Sequence, residues 1–358
     1  MTHTHRLSRR SFLATASSLS ALGTFPAWGQ PGNGSNSVVV QIADTSLGQI
    51  DVTKDFLAGS RTAWQEINAR GGLRGKPVKH QIIEVDGSAV SLRAAVDSVK
   101  NQSQVVALFG TVGALAAVQI DDILRRDMPD VAHIAPWLHQ PDNSKAGNTF
   151  AIFASRSSQI EHAVKSLSVM GVTSMGAVYA TPAEFANYRD EMEQTARSLK
   201  LTLQNFGPVG DLHRLGSTLS PETPRILIFL GGTPELLQFT QGLSKQASQR
   251  YIIGMSDVNL QVLNQLGSTK QAALIATQVV PLVNSQVPIV RNFREALSRL
   301  LDEPPTPQSL AGYISARYGM QRRGTVELGG FRIDVEGRRR AGSYVTQSMV
   351  TADGRVLG

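Results

Sequence analysis

The sequence contains no cysteine, and only 18% of its residues are charged and 6% aromatic. Without cysteine there is no disulfide-stapled scaffold, no thiolate metal site and no thiol nucleophile. Nucleotide and hydrolase signatures are missing as well: no P-loop, no GxGxxG and no GxSxG elbow occurs. The histidines His3, His5, His80, His133, His139, His162 and His213 stand singly, with no HExxH spacing, so neither a zinc site nor a catalytic base is indicated. These absences argue against an enzyme and against a resident metal or cofactor. Beyond the first 29 residues no run approaches 18 consecutive apolar residues, the length of a candidate membrane span.

What is present is an ordinary globular composition, 41% apolar over 358 residues. At roughly 150 residues per domain, that length suggests about two domains, each able to bury its own core. The basic excess is partly local. Arg6, Arg9 and Arg10 fall in the first 29 residues with no acid, and beyond them the formal charge drops from +7 to +4. Ser8-Arg9-Arg10-Ser11-Phe12-Leu13 precedes the apolar run Leu13 to Phe25, and Ala27-Trp28-Gly29 supplies small residues at a peptidase site. The segment 1–29 resembles a twin-arginine export signal, cleaved near Gly29, with 30–37 a flexible lead-in. A soluble protein exported to the periplasm is the expectation.

From Val38 onward short β-branched runs alternate with stretches of helical periodicity. Strands are expected at Val38 to Ala43, Gln81 to Val85, Val105 to Phe109 and Val131 to Ala135, with helices at Thr53 to Ala69, Ser88 to Asn101 and 113–126. Phe150 to Phe153 adds a short strand. The rhythm restarts at Ser157: strands Met175 to Ala180, Leu201 to Phe206, Arg225 to Leu230, Tyr251 to Gly254 and Ala272 to Val280, with helices 157–170, 183–199, 234–246 and 258–266. Helices 288–301 and 308–318 and a β-rich tail from Leu328 follow. Strand alternating with helix means parallel sheets covered on both faces. Arg338-Arg339-Arg340 after Glu336-Gly337 reads as a solvated hairpin tip, not a nucleic-acid patch.

The string Ala63-Trp64-Gln65-Glu66-Ile67-Asn68-Ala69-Arg70-Gly71-Gly72-Leu73-Arg74-Gly75-Lys76-Pro77-Val78 closely resembles the helix, glycine stop and turn of leucine/isoleucine/valine-binding proteins, which are type I periplasmic binding proteins serving ABC transporters. Val85-Asp86, Val105 to Gly110, Leu230-Gly231-Gly232, Gly312-Tyr313, Ala316-Arg317, Leu328-Gly329-Gly330-Phe331 and Asp353-Gly354-Arg355 extend the resemblance over residues 38–358. It implies an α/β fold of two doubly wound, Rossmann-like lobes with parallel sheets, joined by a three-crossover hinge. The lobes are expected at 38–153 plus 281–326 and at 154–280 plus 327–358. The implied function is a monomeric solute-binding protein that grips a small amino-acid-like, polar or aromatic solute between its lobes. It then delivers the solute to an inner-membrane ABC permease and ATPase complex. A sensor presenting its ligand to a receptor and an exported enzyme on a doubly wound fold are the alternatives.

Residue by residue, the resemblance points to a changed ligand grip. Ala114, in the loop Gly110-Thr111-Val112-Gly113-Ala114, stands where relatives holding α-amino acids usually carry a serine hydroxyl, which leaves Thr111 and the helix start to receive an anionic group. Trp137 and His139 replace small and hydroxylated residues. The indole either stacks on a ligand or plugs the cleft, and the imidazole either donates a hydrogen bond or lies in an exposed loop. Asp51 aligns with a ligand-stacking aromatic, or caps the following helix. Glu184 or Phe185 falls at a Tyr-Gly pair of relatives, and Thr233 at another tyrosine. Asp257 lies one position after the acid expected to meet a ligand ammonium, or is the N-cap of helix 258–266. Around 317–328 the chain is shorter than its relatives.

Overall fold

The computed structural model describes residues 37–138, 147–246, 249–270, 272–320, 326–333, 335–336, 339–340, 344–350 and 356–357. The export-like segment 1–29, His139, Arg338 and the Asp353 motif lie outside the described residues.

Five strands form the first sheet: β1 (Val38–Asp44), β2 (Lys79–Val85), β3 (Val105–Phe109), β4 (Ala132–Ile134) and β5 (Thr149–Phe150). All pair in parallel, in the order β2-β1-β3-β4-β5. The next five, β6 (Ser174–Tyr179), β7 (Thr202–Phe206), β8 (Ile226–Leu230), β9 (Arg250–Gly254) and β10 (Ala272–Gln278), repeat that order as β7-β6-β8-β9-β10. Two hairpins follow in the tail, β11 (Val326–Glu327) with β12 (Arg332–Ile333) and β13 (Val335–Glu336) with β14 (Arg339–Arg340). The second sheet departs from the parallel expectation at one edge, where β15 (Thr346–Val350) adds antiparallel to β10 and β16 (Val356–Leu357) antiparallel to β15.

Ten helices occupy the described connections: α1 (Ile50–Ala69), α2 (Ala89–Lys100), α3 (Ala114–Asp127), α4 (Arg156–Val169), α5 (Pro182–Ser198), α6 (Leu212–Thr218), α7 (Thr233–Gly242), α8 (Leu260–Gln265), α9 (Pro288–Leu300) and α10 (Pro307–Tyr318). Strand β1 shows why both sheet faces are covered. Val39 and Ala43 point into one core with α1, α9 and α10, while Val38, Val40 and Ile42 point into another with α2 and α3. The second sheet is covered likewise, by α4 and α5 on one face and α6 to α8 on the other. The helix expected at Thr53 starts a turn earlier at Ile50, and α6, capped by Asp211, was not legible from periodicity because it is only seven residues long.

The chain passes between the sheets after β5, after β10 and again between α10 and β15. The second passage is anchored by α10 lying hard against α1. A methyl on Gly59 would stand 1.7 Å from the Ser309 carbonyl oxygen, and one on Gly312 1.9 Å from that of Phe56. Glycine is required there by contact distance, not by dihedral angle. Tyr313 Oη donates to Glu66 Oε2 at 2.5 Å across the same seam. Early tail residues Leu328 and Phe331 pack with the first core, whereas Val350 packs with the second.

Candidate ligand cleft

Each sheet reverses its winding direction once, between β1 and β3 in the first and between β6 and β8 in the second. In open α/β sheets the crevice outside the carboxyl ends of such strands is where ligands sit. The two switch points face each other. A methyl on Gly232, after β8, would stand 3.7 Å from the carbonyl oxygen of Gly48, after β1. Of the four helices that follow β1, β3, β6 and β8, only α5 after β6 has a side-chain N-cap, from Thr181. Six helices, α2, α4, α5, α6, α8 and α10, carry a side-chain N-cap. At α1, α3 and α7 the N-cap residues Gln49, Gly113 and Gly232 provide none, leaving first-turn N–H groups to other acceptors.

Several sequence candidates turn out to be structural. Trp137 is 1% exposed and packs within the first core among Phe56 and Phe153 at centroid separations of 5.7 and 5.2 Å. Thr111 is fully buried, and its Oγ1 lies 2.8 Å from Nε2 of His133. His133 continues through Nδ1 to Thr149, whose hydroxyl donates to Asp121. Burial holds its pKa down at about 4, so this imidazole is a neutral core residue. Thr233 Oγ1 accepts from the Asn259 N–H at 2.9 Å. Ala114 is the first residue of α3, as its position in the loop requires.

Neither aspartate is an N-cap. Asp51 is already inside the first turn of α1, and α8 is capped by Asn259, which accepts from the N–H groups of Gln261 and Val262. Asp257 instead receives both terminal nitrogens of Arg156, each at 2.7 Å, with side-chain exposures of 8% and 4%. Sequence reading did not single out Arg156, and its partner lies 101 positions away. Burial works against the guanidinium charge, but Asp257 outweighs it and raises the Arg156 pKa.

Glu184 is the third residue of α5, beside this pair. Burial raises its pKa and the Arg156 charge opposes the rise, while Asp257 and Glu235 reinforce it. Its Oε2 is shielded from solvent without a hydrogen-bond partner. Tyr188, one turn on, is likewise pushed up by burial. Toward the hinge, a cleft of about 350 Å³ separates Asp51, Lys54 and Asp55 of α1 from Asn259, Gln261 and Gln265 of α8. Asn259 Nδ2 spans it to Asp55 Oδ2 at 3.1 Å, and burial raises the Asp55 pKa. From α10, Gln308 donates to the carbonyls of Ser256 and Val258, fixing the loop that carries Asp257. A larger groove of about 510 Å³ along α9, lined by Arg291, Arg294 and Glu295, has no strand ends converging on it. Among the described residues no His, Asp and Glu group is placed to hold a metal ion, and no helix is long and apolar enough to cross a membrane.

Comparison with solved structures finds the same architecture repeatedly. An extracellular ligand-binding receptor from Verminephrobacter eiseniae superposes with a TM-score of 0.80 at 18% identity, covering 90% of this chain and 100% of the other. The branched-chain amino acid transporter substrate-binding protein LivJ from Streptococcus pneumoniae, in complex with isoleucine, gives 0.75 at 14% identity over 90% and 98%. A fatty acid ABC transporter substrate-binding protein from Thermomonospora curvata gives 0.74 at 12% identity over 89% of each chain. No curated protein matches. At these identities the superpositions establish the fold, and the sequence itself decides the family. A model of the periplasmic binding proteins matches residues 38–331, and the chain belongs to that family of solute-binding proteins, which are not enzymes.

Proposed function

We propose that the chain is the substrate-binding component of an ABC importer. It holds a small polar or amino-acid-like solute between lobes 38–153 plus 281–326 and 154–280 plus the end of the tail, with Leu328 and Phe331 packed on the first lobe, then presents the closed form to a membrane permease with its ATPases. In this reading it works as a monomer in the periplasm, reached through a twin-arginine signal in 1–29. The observation that carries it is the opposition of the two switch points, with three uncapped helix N-termini around one crevice. A ligand touching both sides stabilises the closed arrangement by its differential affinity, which is all that transport recognition requires.

The solute contacts proposed are Glu184 on the second lobe, Asp51 on the first, and the backbone at Ala114 and Thr233. Trp137 and Thr111 support the first-lobe wall from behind, and Asp257 acts through Arg156. His139, two positions after Trp137 in sequence, is proposed as a hydrogen-bond donor to the solute. Relatives of this fold named for isoleucine and for fatty acid show how far ligand chemistry varies on one scaffold. Thermal-shift screening against amino acids, aromatic acids, amides and urea-like solutes tests the reading. At a hundred times Kd, a true ligand adds about 2.7 kcal/mol to the folded state. A flat response to every solute class contradicts it.

A further inference from the structure

The loop between β9 and α8 is held by side chains from three other helices. From α4, Gln159 Oε1 accepts the Ser256 N–H at 2.9 Å, and the same oxygen accepts the Thr277 hydroxyl of β10 at 2.8 Å. Arg156, also from α4, takes both oxygens of Asp257. From α10, Gln308 donates to the carbonyls of Ser256 and Val258, and from α7 the Thr233 hydroxyl accepts the Asn259 N–H. A connection tied at this many points is a rigid mount, of the kind that keeps a functional side chain in one geometry. The side chain at its end is Asn259.

Asn259 is 3% exposed, and its Oδ1 accepts from the N–H groups of Gln261 and Val262 as the N-cap of α8. An amide whose oxygen is committed to two donors has its NH2 group fixed in the opposite direction. Nδ2 therefore points away from α8, and it donates to Asp55 Oδ2 of α1 at 3.1 Å. The Thr306 hydroxyl, N-cap of α10, stands beside the same carboxyl group and works against the burial that raises its pKa. Lys54, next in sequence, pairs instead with Glu303 at 3.7 Å. Asp55 thus joins α1 of the first lobe to the start of α10 and, through Asn259, to the second lobe. Apolar side chains do not make this connection: Phe56 and Leu57 of α1 pack in the first core, Leu260 and Leu263 of α8 in another, and a cleft of about 350 Å³ lies between the helices.

We propose, on the footing of the lobe closure above, that the Asp55–Asn259 hydrogen bond is an interlobe latch. It sets the ratio of closed to open protein by bridging the lobes, not by contact with the solute. A bond made only in the closed arrangement favours that arrangement by its own free energy. A solute that binds the closed form then has its affinity scaled by the closed fraction, so the latch tunes affinity for every solute alike.

The test uses the purified protein without added solute. The chain has no cysteine, so spin labels at Val90→Cys and Ala183→Cys, exposed at the starts of α2 and α5, report the separation of the lobes. Asn259→Asp keeps the α8 cap, because aspartate caps as well as asparagine, but sets a second carboxylate against Asp55. It should lower the closed-to-open ratio by about tenfold or more, the scale of one hydrogen bond to a charged group, and so lengthen the distances. Adding Asp55→Asn exchanges donor and acceptor across the same gap and should restore the parent distribution, whereas Asp55→Asn alone should move it less than Asn259→Asp does. A capping role alone predicts no change in any of the three, and circular dichroism melting checks that each is folded. Gly232→Phe is the reference for opening: a methyl there already stands 3.7 Å from the Gly48 carbonyl oxygen, so a phenyl ring should wedge the switch points apart. If Gly232→Phe lengthens the distances and Asn259→Asp does not, or if Asp55→Asn fails to reverse Asn259→Asp, the latch falls and the closure reading stands. If neither lengthens them the latch falls as well, and closure falls with it only when a solute that raises the melting midpoint also leaves the distances unchanged.

Discussion

Replacing Trp137 by alanine empties a site shared with Phe56 and Phe153, so the main result should be a loss of about 3–5 kcal/mol of stability, read by chemical denaturation. The affinity of the protein that still folds should change little; a large selective loss of affinity would return the indole to the ligand. Arg156→Met leaves Asp257 buried without its counter-charge and should cost about 3–5 kcal/mol, whereas the double change with Asp257→Leu should recover most of it. His133 and His80 are both held down at about 4 by burial, against an ordinary value of 6.5. The unfolded chain therefore takes up protons that the folded chain refuses. Stability should be full above 6.5 and fall as the pH drops toward 4, by up to about 1.4 kcal/mol per pH unit for each imidazole. His133→Gln should flatten that slope, and an unchanged slope would mean the imidazole is not the titrating group. None of these three environments is visible in the sequence. Trp137, Arg156 and His133 depend on partners brought together by the fold, and residue type alone leaves each open to a surface or a core role.

Helix and strand placement was far more legible, because amphipathic periodicity and glycine stops are local. Strands β1 and β3 and helices α2, α5 and α9 fall within a few residues of their expected bounds. The ends were less so. Asp257 and Asn259 are both capping residue types two positions apart, and only the structure shows that Asn259 binds the Gln261 and Val262 N–H groups. Similarly, no pattern in α1 or α10 announces their close crossing. Gly312→Ala places a methyl 1.9 Å from the Phe56 carbonyl oxygen, so the helices must part; a loss of about 1–3 kcal/mol or more is expected by thermal or urea unfolding. Gly48→Ala, with no atom within 4 Å, is the control and should be silent for stability. Equal effects at the two positions would mean that the helix seam is looser than the contact distances imply.

At the scale of the whole molecule, the two sheets share one winding order, and that repetition creates the crevice by setting two switch points face to face. The sequence carried the repetition as a rhythm that starts again near Ser157, and the family resemblance carried its meaning. What it did not carry was the wiring inside the crevice, where Arg156 occupies both oxygens of Asp257 beside Glu184. The proposed function requires closure of the lobes around a ligand. The chain has no cysteine, so Leu47→Cys on the first lobe's rim and Gln238→Cys on α7 can be labelled cleanly, both being exposed. The distance distribution between two spin labels at these positions, with and without a solute that raises the melting midpoint, is the most direct measurement. Closure predicts a shorter and narrower distribution when the solute is bound; identical distributions in the two states would contradict it.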